Sequence, residues 1–350
     1  MTQDLQHKIE NIINRNPQAD DREIVLQLKQ LLYETELQSY AGKEVKNIAG
    51  LVAENIHQLN SETYQTAVIK SGFDDFDVQF GGFRPGEFVV VGGRPAMGKT
   101  QFLVNLSLSI SATIPVLYAT LDLSEFLLTN RFISSVSDIP ASCILQRNLN
   151  EEQKDRLAVI GNEFAKRQLF IHDCSNTSIA ALKANCQKLI QENGVQVIVV
   201  DYLQLVSSYK HKNYRELEIS YICRELKNMA KEYNVCVIAS SQLSRATESR
   251  YGGEKRPQLS DLRDSGAIEQ DADKVLFIYR PEYYGILADC EGNSTAYMAE
   301  IIVAKNRNGR LGEFKLLRDN DFTNFRKYKN EFTFSSDRLL ELEKLRENPF

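Results

Sequence analysis

The sequence lacks the features of several protein classes. Its six cysteines form no CxxC pair and its four histidines lie far apart, so the ligand spacing of a structural zinc site is absent. No apolar run approaches the roughly 18 residues of a membrane span, and the N-terminus has no apolar signal core. These absences predict a cytoplasmic protein without membrane segments, whose cysteines are small buried residues in a reducing compartment.

The sequence also lacks an excess of basic residues. Its 42 Lys and Arg face 47 Asp and Glu, a formal net charge of -5. This balance argues against a surface coated in positive charge, although a few local loops could still bind nucleic acid. The chain shows no internal repeat and no low-complexity tract. Its 350 residues allow one large α/β domain with or without a smaller appendage.

The pattern of apolar residues divides the chain into three parts. Residues 1–70 are poor in strand patterns and predict helices, with Val45, Ile48, Val52, Ile56 and Leu59 on one helical face. This face predicts packing either on the chain's own core or, as a linker, on a neighbouring subunit. Residues 71–330 predict a single α/β domain, and residues 331–350 predict a short terminal helix.

Short apolar runs in the central part alternate with helical stretches. Continuous runs such as "VQVIVVDY" are typical of strands with both sheet faces covered by helices, so we expect a mostly parallel sheet. The last two runs flank Asn308-Gly309, a favoured hairpin turn, and predict an antiparallel pair at the sheet edge. The other strand-like runs are "EFVVVGG", "VLYATL", "QLFIHD", "VCVIASSQ" and "KVLFIYR".

A phosphate-binding loop is predicted between the first strand and an apolar helix. The stretch matches G-x-x-x-x-G-K-[ST], in which backbone N–H groups close around phosphates, Lys99 reaches the β- and γ-phosphate oxygens, and Thr100 can bind Mg²⁺. The motif therefore predicts a P-loop that binds ATP with Mg²⁺. Its residues are Gly93, Arg94, Pro95, Ala96, Met97, Gly98, Lys99 and Thr100.

Acidic residues follow two of the predicted strands. Asp201 ends "VIVVD", where a P-loop protein needs a carboxylate for the water shell of its metal. Asp122 follows "VLYATL" and is our candidate for the base that deprotonates the attacking water, with Glu125 as the alternative. The D-x-x-E spacing is also a helix-capping pattern, so Asp122 could instead cap a helix that begins near Leu123.

Several motifs occur in the order found in one family. They include "SGFDDFD", "GGFRPGEFVVVGGRPAMGKT", "VIVVDYLQL", "RPQLSDLRDSGAIEQDADKVLFIYR" and "IIVAKNRNGRLGEFKL", and the match runs from about Ser71 to Asp319. The sequence resembles the motor domain of DnaB-type replicative helicases, a RecA-like fold. The resemblance implies a homo-hexameric ring that hydrolyses ATP, moves 5′ to 3′ on single-stranded DNA and unwinds the duplex during replication.

The resemblance also assigns roles to single residues. Gln242 matches a polar sensor of the γ-phosphate, and Lys305 and Arg307 match a basic pair that reaches into the neighbouring subunit's nucleotide. The chain departs from the family in two places. "TLDL" stands where the family usually has a glutamate, so the expected base, Asp122, is one methylene shorter. The roughly 70 N-terminal residues are fewer than the family's helical collar domain, and replication partners there are an open expectation.

Two predicted loops are candidates for DNA binding. The long polar stretch after "VCVIASSQ" resembles a pore-facing loop in which Arg263, Asp264 and Gly266 hold phosphates. A second loop presents Lys210 and Lys212, and it is either another pore loop or a solvated connection. The leading expectation is a helicase motor. The alternative is a recombinase-like or degenerate single-strand-binding ATPase or scaffold on the same fold, without unwinding.

Overall fold

The structure, a computed structural model, describes residues 8–12, 23–31, 47–60, 68–211, 214–248, 250, 255–262, 266–289, 292–319 and 321–328. The chain divides into two compact units, Met1–Thr66 and Ala67–Phe350. The predicted terminal helix at residues 331–350 lies outside the described residues. None of the described helices is both long and apolar enough to cross a bilayer.

The first unit is helical where the structure describes it, as the apolar periodicity predicts. Residues 8–12 and 23–31 are helical, and helix α1 spans Ile48–Asn60. The α1 side chains of Ile48, Val52 and Ile56 are all exposed. What covers this apolar face therefore remains a prediction.

The second unit is built on one sheet. Within the described residues its nine strands have the order β3-β2-β4-β5-β1-β6-β7-β8-β9. The pairs from β3 to β6 are parallel, and the pairs from β6 to β9 are antiparallel. The strands are β1 (Phe88–Gly93), β2 (Val116–Thr120), β3 (Leu169–Asp173), β4 (Val197–Asp201), β5 (Cys236–Gln242), β6 (Lys274–Tyr279), β7 (Met298–Asn306), β8 (Gly312–Arg318) and β9 (Phe325–Lys327).

Helices cover both faces of this sheet. They are α2 (Asp74–Phe80), α3 (Lys99–Ile110), α4 (Glu125–Ser137), α5 (Ala141–Gln146), α6 (Glu151–Phe164), α7 (Ile179–Asn193), α8 (Arg215–Tyr233) and α9 (Gly266–Asp271). Short 3-10 turns lie at Leu203–Leu205, Arg245–Thr247, Leu259–Asp261 and Pro281–Tyr284.

The continuous apolar runs are explained by two hydrophobic cores, one on each sheet face. Successive strand side chains point to opposite faces, so Val89 and Val91 of β1 enter the core that contains α3 and α4. Phe88 and Val90 enter the other core, which contains α7 and α8. The predicted mostly parallel α/β sheet is therefore confirmed. The predicted edge hairpin is also confirmed, since β7 and β8 pair across a turn that contains Asn308 and Gly309.

Candidate nucleotide-binding site

The P-loop lies between β1 and α3, as predicted. β1 ends at Gly93, and α3 begins at Lys99 directly after Gly98, which has a φ of 94°. A Cβ on Gly98 would lie 2.3 Å from the ring of Phe322, so both the backbone angle and the available space require glycine. The loop therefore wraps around the N-terminus of α3, where free backbone N–H groups and the helix dipole favour an anion.

A polar cavity of about 420 Å³ opens beside this loop. Several parallel strands end at this edge of the sheet, and in open α/β sheets such edges are where ligands bind. The cavity brings together the P-loop and the predicted residues at the ends of β2, β4 and β5. Its lining is Pro95, Ala96, Gly98, Lys99, Thr100, Gln101, Asp122, Arg131, Asp201, Tyr202, Gln242 and Phe322.

Lys99 folds back onto the P-loop. Its Nζ donates to the carbonyl oxygens of Gly93 at 2.8 Å and Arg94 at 3.0 Å. Burial lowers the pKa of Lys99 to about 8, opposed by the nearby Asp201 carboxylate. A bound polyphosphate would add negative charge at this point and favour the charged ammonium.

Asp201 ends β4 at the floor of the cavity. Its side chain is buried, and it accepts hydrogen bonds from Tyr118 Oη at 2.9 Å and from Ser240 Oγ. Burial and the Asp201 charge both raise the pKa of Tyr118, so this phenol remains a hydrogen-bond donor. The Thr100 hydroxyl and the Asp201 carboxylate are oxygen donors, which are the ligands that Mg²⁺ prefers.

The structure distinguishes the two candidates for the base, Asp122 and Glu125, by their positions relative to the cavity. Asp122 lines the cavity, whereas Glu125 does not. The capping interpretation of Asp122 is wrong, because α4 begins at Glu125 and its cap is Ser124, whose side chain accepts from the backbone N–H of Leu127. Asp122 is thus an exposed carboxylate beside the phosphate loop, and its role as the base stays a prediction.

Gln242 ends β5 and also lines the cavity. Gln204, in the turn after β4, bonds to the backbone N–H of Gln242 and to the side chain of the preceding Ser241. Gln204 Oε1 accepts from Gln242 N at 3.2 Å, and its Nε2 donates to Ser241 Oγ at 2.9 Å. The turn after Asp201 is therefore bonded to the strand end that carries Gln242, the candidate γ-phosphate sensor.

The cavity lining also contains four residues that the sequence did not suggest: Gln101, Arg131, Tyr202 and Phe322. Arg131 on α4 is a second cation in the lining, and Phe322 supplies an aromatic wall. Phe322 has a φ of 57°, which is rare for a bulky residue, and the Arg280 guanidinium lies 4.8 Å from its ring centroid. Arg280 also donates to the P-loop carbonyl of Ala96 at 2.9 Å.

Lys305 and Arg307 lie elsewhere in the same chain. Neither of them, although both are described, lines the cavity. Lys305 Nζ donates to Glu269 O at 2.5 Å, while Arg307 Nη2 donates to Gln270 O at 2.9 Å. Arg307 Nη1 also lies 3.4 Å from the buried Asp273 carboxylate, yet half of the Arg307 side chain is exposed. Both side chains are thus anchored near the end of α9, with Arg307 exposed and Lys305 partly buried.

The candidate DNA loops are described only in part. Arg263, Asp264 and Lys212 lie outside the described residues, while Gly266 begins α9. Lys210 Nζ lies 4.9 Å from the centroid of the Tyr221 ring, so this cation packs on its own subunit.

The loop after β5 is tied to the nucleotide site. Arg94 of the P-loop forms an ion pair with Glu248 at 2.8 Å and donates to Leu243 O at 2.9 Å. The Arg94 guanidinium also holds the pKa of Glu248 below its usual value. The beginning of the polar segment is therefore bonded directly to the phosphate-binding loop.

The fold and the cavity define a P-loop nucleotide-binding protein. Comparison with known proteins then shows the family: the chain belongs to the DnaB-like helicases, and residues 68–327 match the family's C-terminal domain. This confirms the resemblance drawn from the motifs. The sheet is that of a RecA-like ATPase domain.

The curated relatives of this chain include replicative DNA helicases. A probable replicative DNA helicase of Trieres chinensis is 40% identical over 266 residues, which is 75% of this chain and 58% of the relative. Replicative DNA helicase DnaB of Rickettsia felis is 33% identical over 356 residues, 94% of this chain and 72% of the relative. The chain thus spans less than two thirds of the length of the first relative and slightly more than two thirds of the length of the second.

Two solved structures have a similar fold. One is an isolated ATPase domain, which superposes with a TM-score of 0.74 at 31% identity, covering 82% of this chain and all of that chain. The other is a DnaB-like replicative helicase, described with its interactions with primase, which also gives a TM-score of 0.74 at 29% identity. It covers 94% of this chain and 76% of that one.

Proposed function

We propose that this chain is the motor of an ATP-driven DNA helicase that assembles as a homo-hexameric ring. The observation that carries the proposal is that the predicted catalytic residues lie in two separate places on the subunit. Five of them share one cavity, namely Lys99, Thr100, Asp122, Asp201 and Gln242, while the basic pair, Lys305 and the exposed Arg307, lies outside it. Hydrolysis then needs a second subunit to complete the site, which ties ATP turnover to ring assembly.

Each cavity residue has a role in this proposal. The P-loop backbone and Lys99 bind the phosphates, and Gln242 contacts the γ-phosphate. Thr100 and Asp201 would hold Mg²⁺, which, when bound, neutralises charge on the phosphate oxygens. Asp122 orients and deprotonates the attacking water, and Arg131 adds positive charge near the phosphates. Phe322 offers an aromatic face for the nucleobase.

Single-stranded DNA is the proposed track. In a ring, six copies of the segments that contain Lys210, Lys212, Arg263, Asp264 and Gly266 would surround one strand and bind its phosphates with little base preference. The P-loop's contacts to Glu248 and Leu243 support a coupling between ATP turnover and DNA binding, because they join the nucleotide site to the beginning of one of these segments.

The described cysteines are free thiols, which suits action in the cytoplasm. The partners of residues 1–70 are proposed to be other replication proteins.

A second candidate is a single-strand-binding ATPase or scaffold that does not unwind DNA. One observation favours it: the base position holds Asp122, whose carboxylate reaches one methylene less far than the glutamate usual in the family. The deciding experiment is steady-state ATP hydrolysis by the assembled protein with and without single-stranded DNA, followed by unwinding of a forked duplex. DNA-stimulated hydrolysis with unwinding supports the motor. Nucleotide binding without turnover in either condition refutes the motor and supports the scaffold.

A further inference from the structure

Two hydroxyl groups from different strands converge on Asp201. Tyr118 on β2 donates to Asp201 Oδ2 at 2.9 Å, and Ser240 on β5 donates to Oδ1. These two strands flank β4, which ends at Asp201. Each carboxylate oxygen of Asp201 therefore accepts a hydrogen bond from one of the two strands that flank β4.

The strand register produces this convergence. Tyr118 pairs with Val199 and Thr120 pairs with Asp201, while Val200 pairs with Ala239. Since side chains alternate along a strand, Tyr118, Asp201 and Ser240 share the sheet face that packs against α3. The three groups are thus fixed by backbone hydrogen bonds within the sheet.

Packing alone does not account for the two hydroxyls. Tyr118 and Ser240 are both 0% exposed, and a buried hydroxyl without a partner costs free energy. The Tyr118 ring meets Phe132 edge to face at 5.7 Å, a contact that a phenylalanine ring would make equally well. The phenolic oxygen is used instead in the hydrogen bond to Asp201.

We infer that Tyr118 and Ser240 are positioning residues that hold the Asp201 carboxylate for the magnesium–nucleotide complex. An ionised carboxylate has about four lone-pair sites on its two oxygens, and the hydroxyls use one site on each. The remaining sites are left for the cavity. The two bonds also restrain the rotation of the side chain, so Asp201 meets the metal's water shell in one orientation.

This inference rests on the proposed role of Asp201, and its test separates the two. The variants are Tyr118→Phe and Ser240→Ala, singly and together, each of which removes one oxygen atom. The matched control is Ser107→Ala, which removes another fully buried serine hydroxyl, one that donates to Leu103 O within α3. Urea unfolding first identifies the variants that fold.

The main measurement involves no turnover. Binding of a fluorescent ADP analogue is titrated with Mg²⁺ and, separately, measured in EDTA. We expect each single variant to raise the half-saturating Mg²⁺ concentration about 10-fold, and the double variant up to about 100-fold, as for other groups that orient metal ligands. Binding in EDTA stays unchanged, and Ser107→Ala behaves as the unmodified protein.

Three results would overturn the inference. If Asp201→Asn shifts the Mg²⁺ dependence but the hydroxyl variants do not, the positioning role is wrong and the proposed function stands. If the hydroxyl variants weaken binding equally in EDTA, their role is structural only. If Asp201→Asn leaves the Mg²⁺ dependence unchanged, the metal assignment in the proposed function fails and the inference fails with it. Should Tyr118→Phe not fold, Ser240→Ala decides.

Discussion

Replacing Arg307 by alanine tests whether the active site is completed by a second subunit. The guanidinium is anchored by Gln270 O and Asp273, and the half-exposed side chain does not line the subunit's own cavity. If the proposed ring is correct, Arg307→Ala leaves its own P-loop intact but removes a cation from the neighbour's site. A trans-acting arginine contributes about 10³- to 10⁵-fold to turnover, so hydrolysis should fall by at least about 10³-fold. At about 1.36 kcal/mol per decade, this corresponds to roughly 4–7 kcal/mol of transition-state stabilisation.

Mixing two inactive variants should restore part of the activity. Lys99→Ala subunits keep Arg307, and Arg307→Ala subunits keep Lys99. In randomly assembled rings from an equal mixture, about one quarter of the interfaces combine an intact P-loop with an intact Arg307. Turnover should recover to at most about one quarter of the unmodified rate if the interfaces act independently.

The assay is steady-state ATP hydrolysis with single-stranded DNA, in mixtures shown by native mass spectrometry to contain both variants in one ring. Arg310→Ala is the matched control, since this arginine follows the same turn but donates to Gln79 O of its own subunit at 2.9 Å. It should hydrolyse ATP at nearly the unmodified rate. A mixed-ring rate no higher than the sum of the two separate variants would refute the trans-acting role.

Three further outcomes are expected. Lys99→Ala should reduce hydrolysis to background with an unchanged circular dichroism spectrum, and unchanged turnover would contradict the P-loop assignment. Asp122→Asn should lower kcat by about 10²- to 10⁴-fold without loss of nucleotide binding, while equal kcat values would exclude Asp122 as the base. Lys274→Met should destabilise the fold by about 3–5 kcal/mol in urea unfolding, because Glu87 is buried and both of its oxygens contact Lys274. A change below about 1 kcal/mol would show that other groups compensate this charge.

The parts of the site that could be predicted are local in the sequence or follow from strand direction. The P-loop is a continuous motif from Gly93 to Thr100, and its geometry depends on neighbouring residues. Asp122 and Asp201 could be named because each follows a predicted strand, whereas Gln242 was named from the family resemblance; the three lie together because parallel strands end at the same edge of a sheet. The same reasoning gave the sheet itself, since buried parallel strands appear as continuous apolar runs.

The parts that could not be predicted depend on contacts between distant segments. Phe322 lies more than 200 residues after the P-loop, and it follows no pattern that marks a site. β9 has only three residues, too few to show a period. The hydrogen bonds of Tyr118 and Ser240 to Asp201 depend on strand register, which a single sequence does not reveal. Whether Asp122 caps a helix was also open in the sequence, because the capping pattern does not fix where the helix begins; α4 begins at Glu125 and is capped by Ser124.

The position of β6 has a mechanical consequence. This single strand lies between β1, which leads into the P-loop, and β7, which carries Lys305 and leads into Arg307. The hydrogen bonds of the sheet therefore fix the distance between a subunit's P-loop and its basic pair, Lys305 and Arg307. In the proposed ring, a rotation that moves Arg307 toward one neighbour would also move the same subunit's P-loop relative to the other neighbour. Adjacent nucleotide sites would then be coupled through the sheet of the subunit between them. The order in which the sites hydrolyse ATP would depend on how each subunit tilts in the ring.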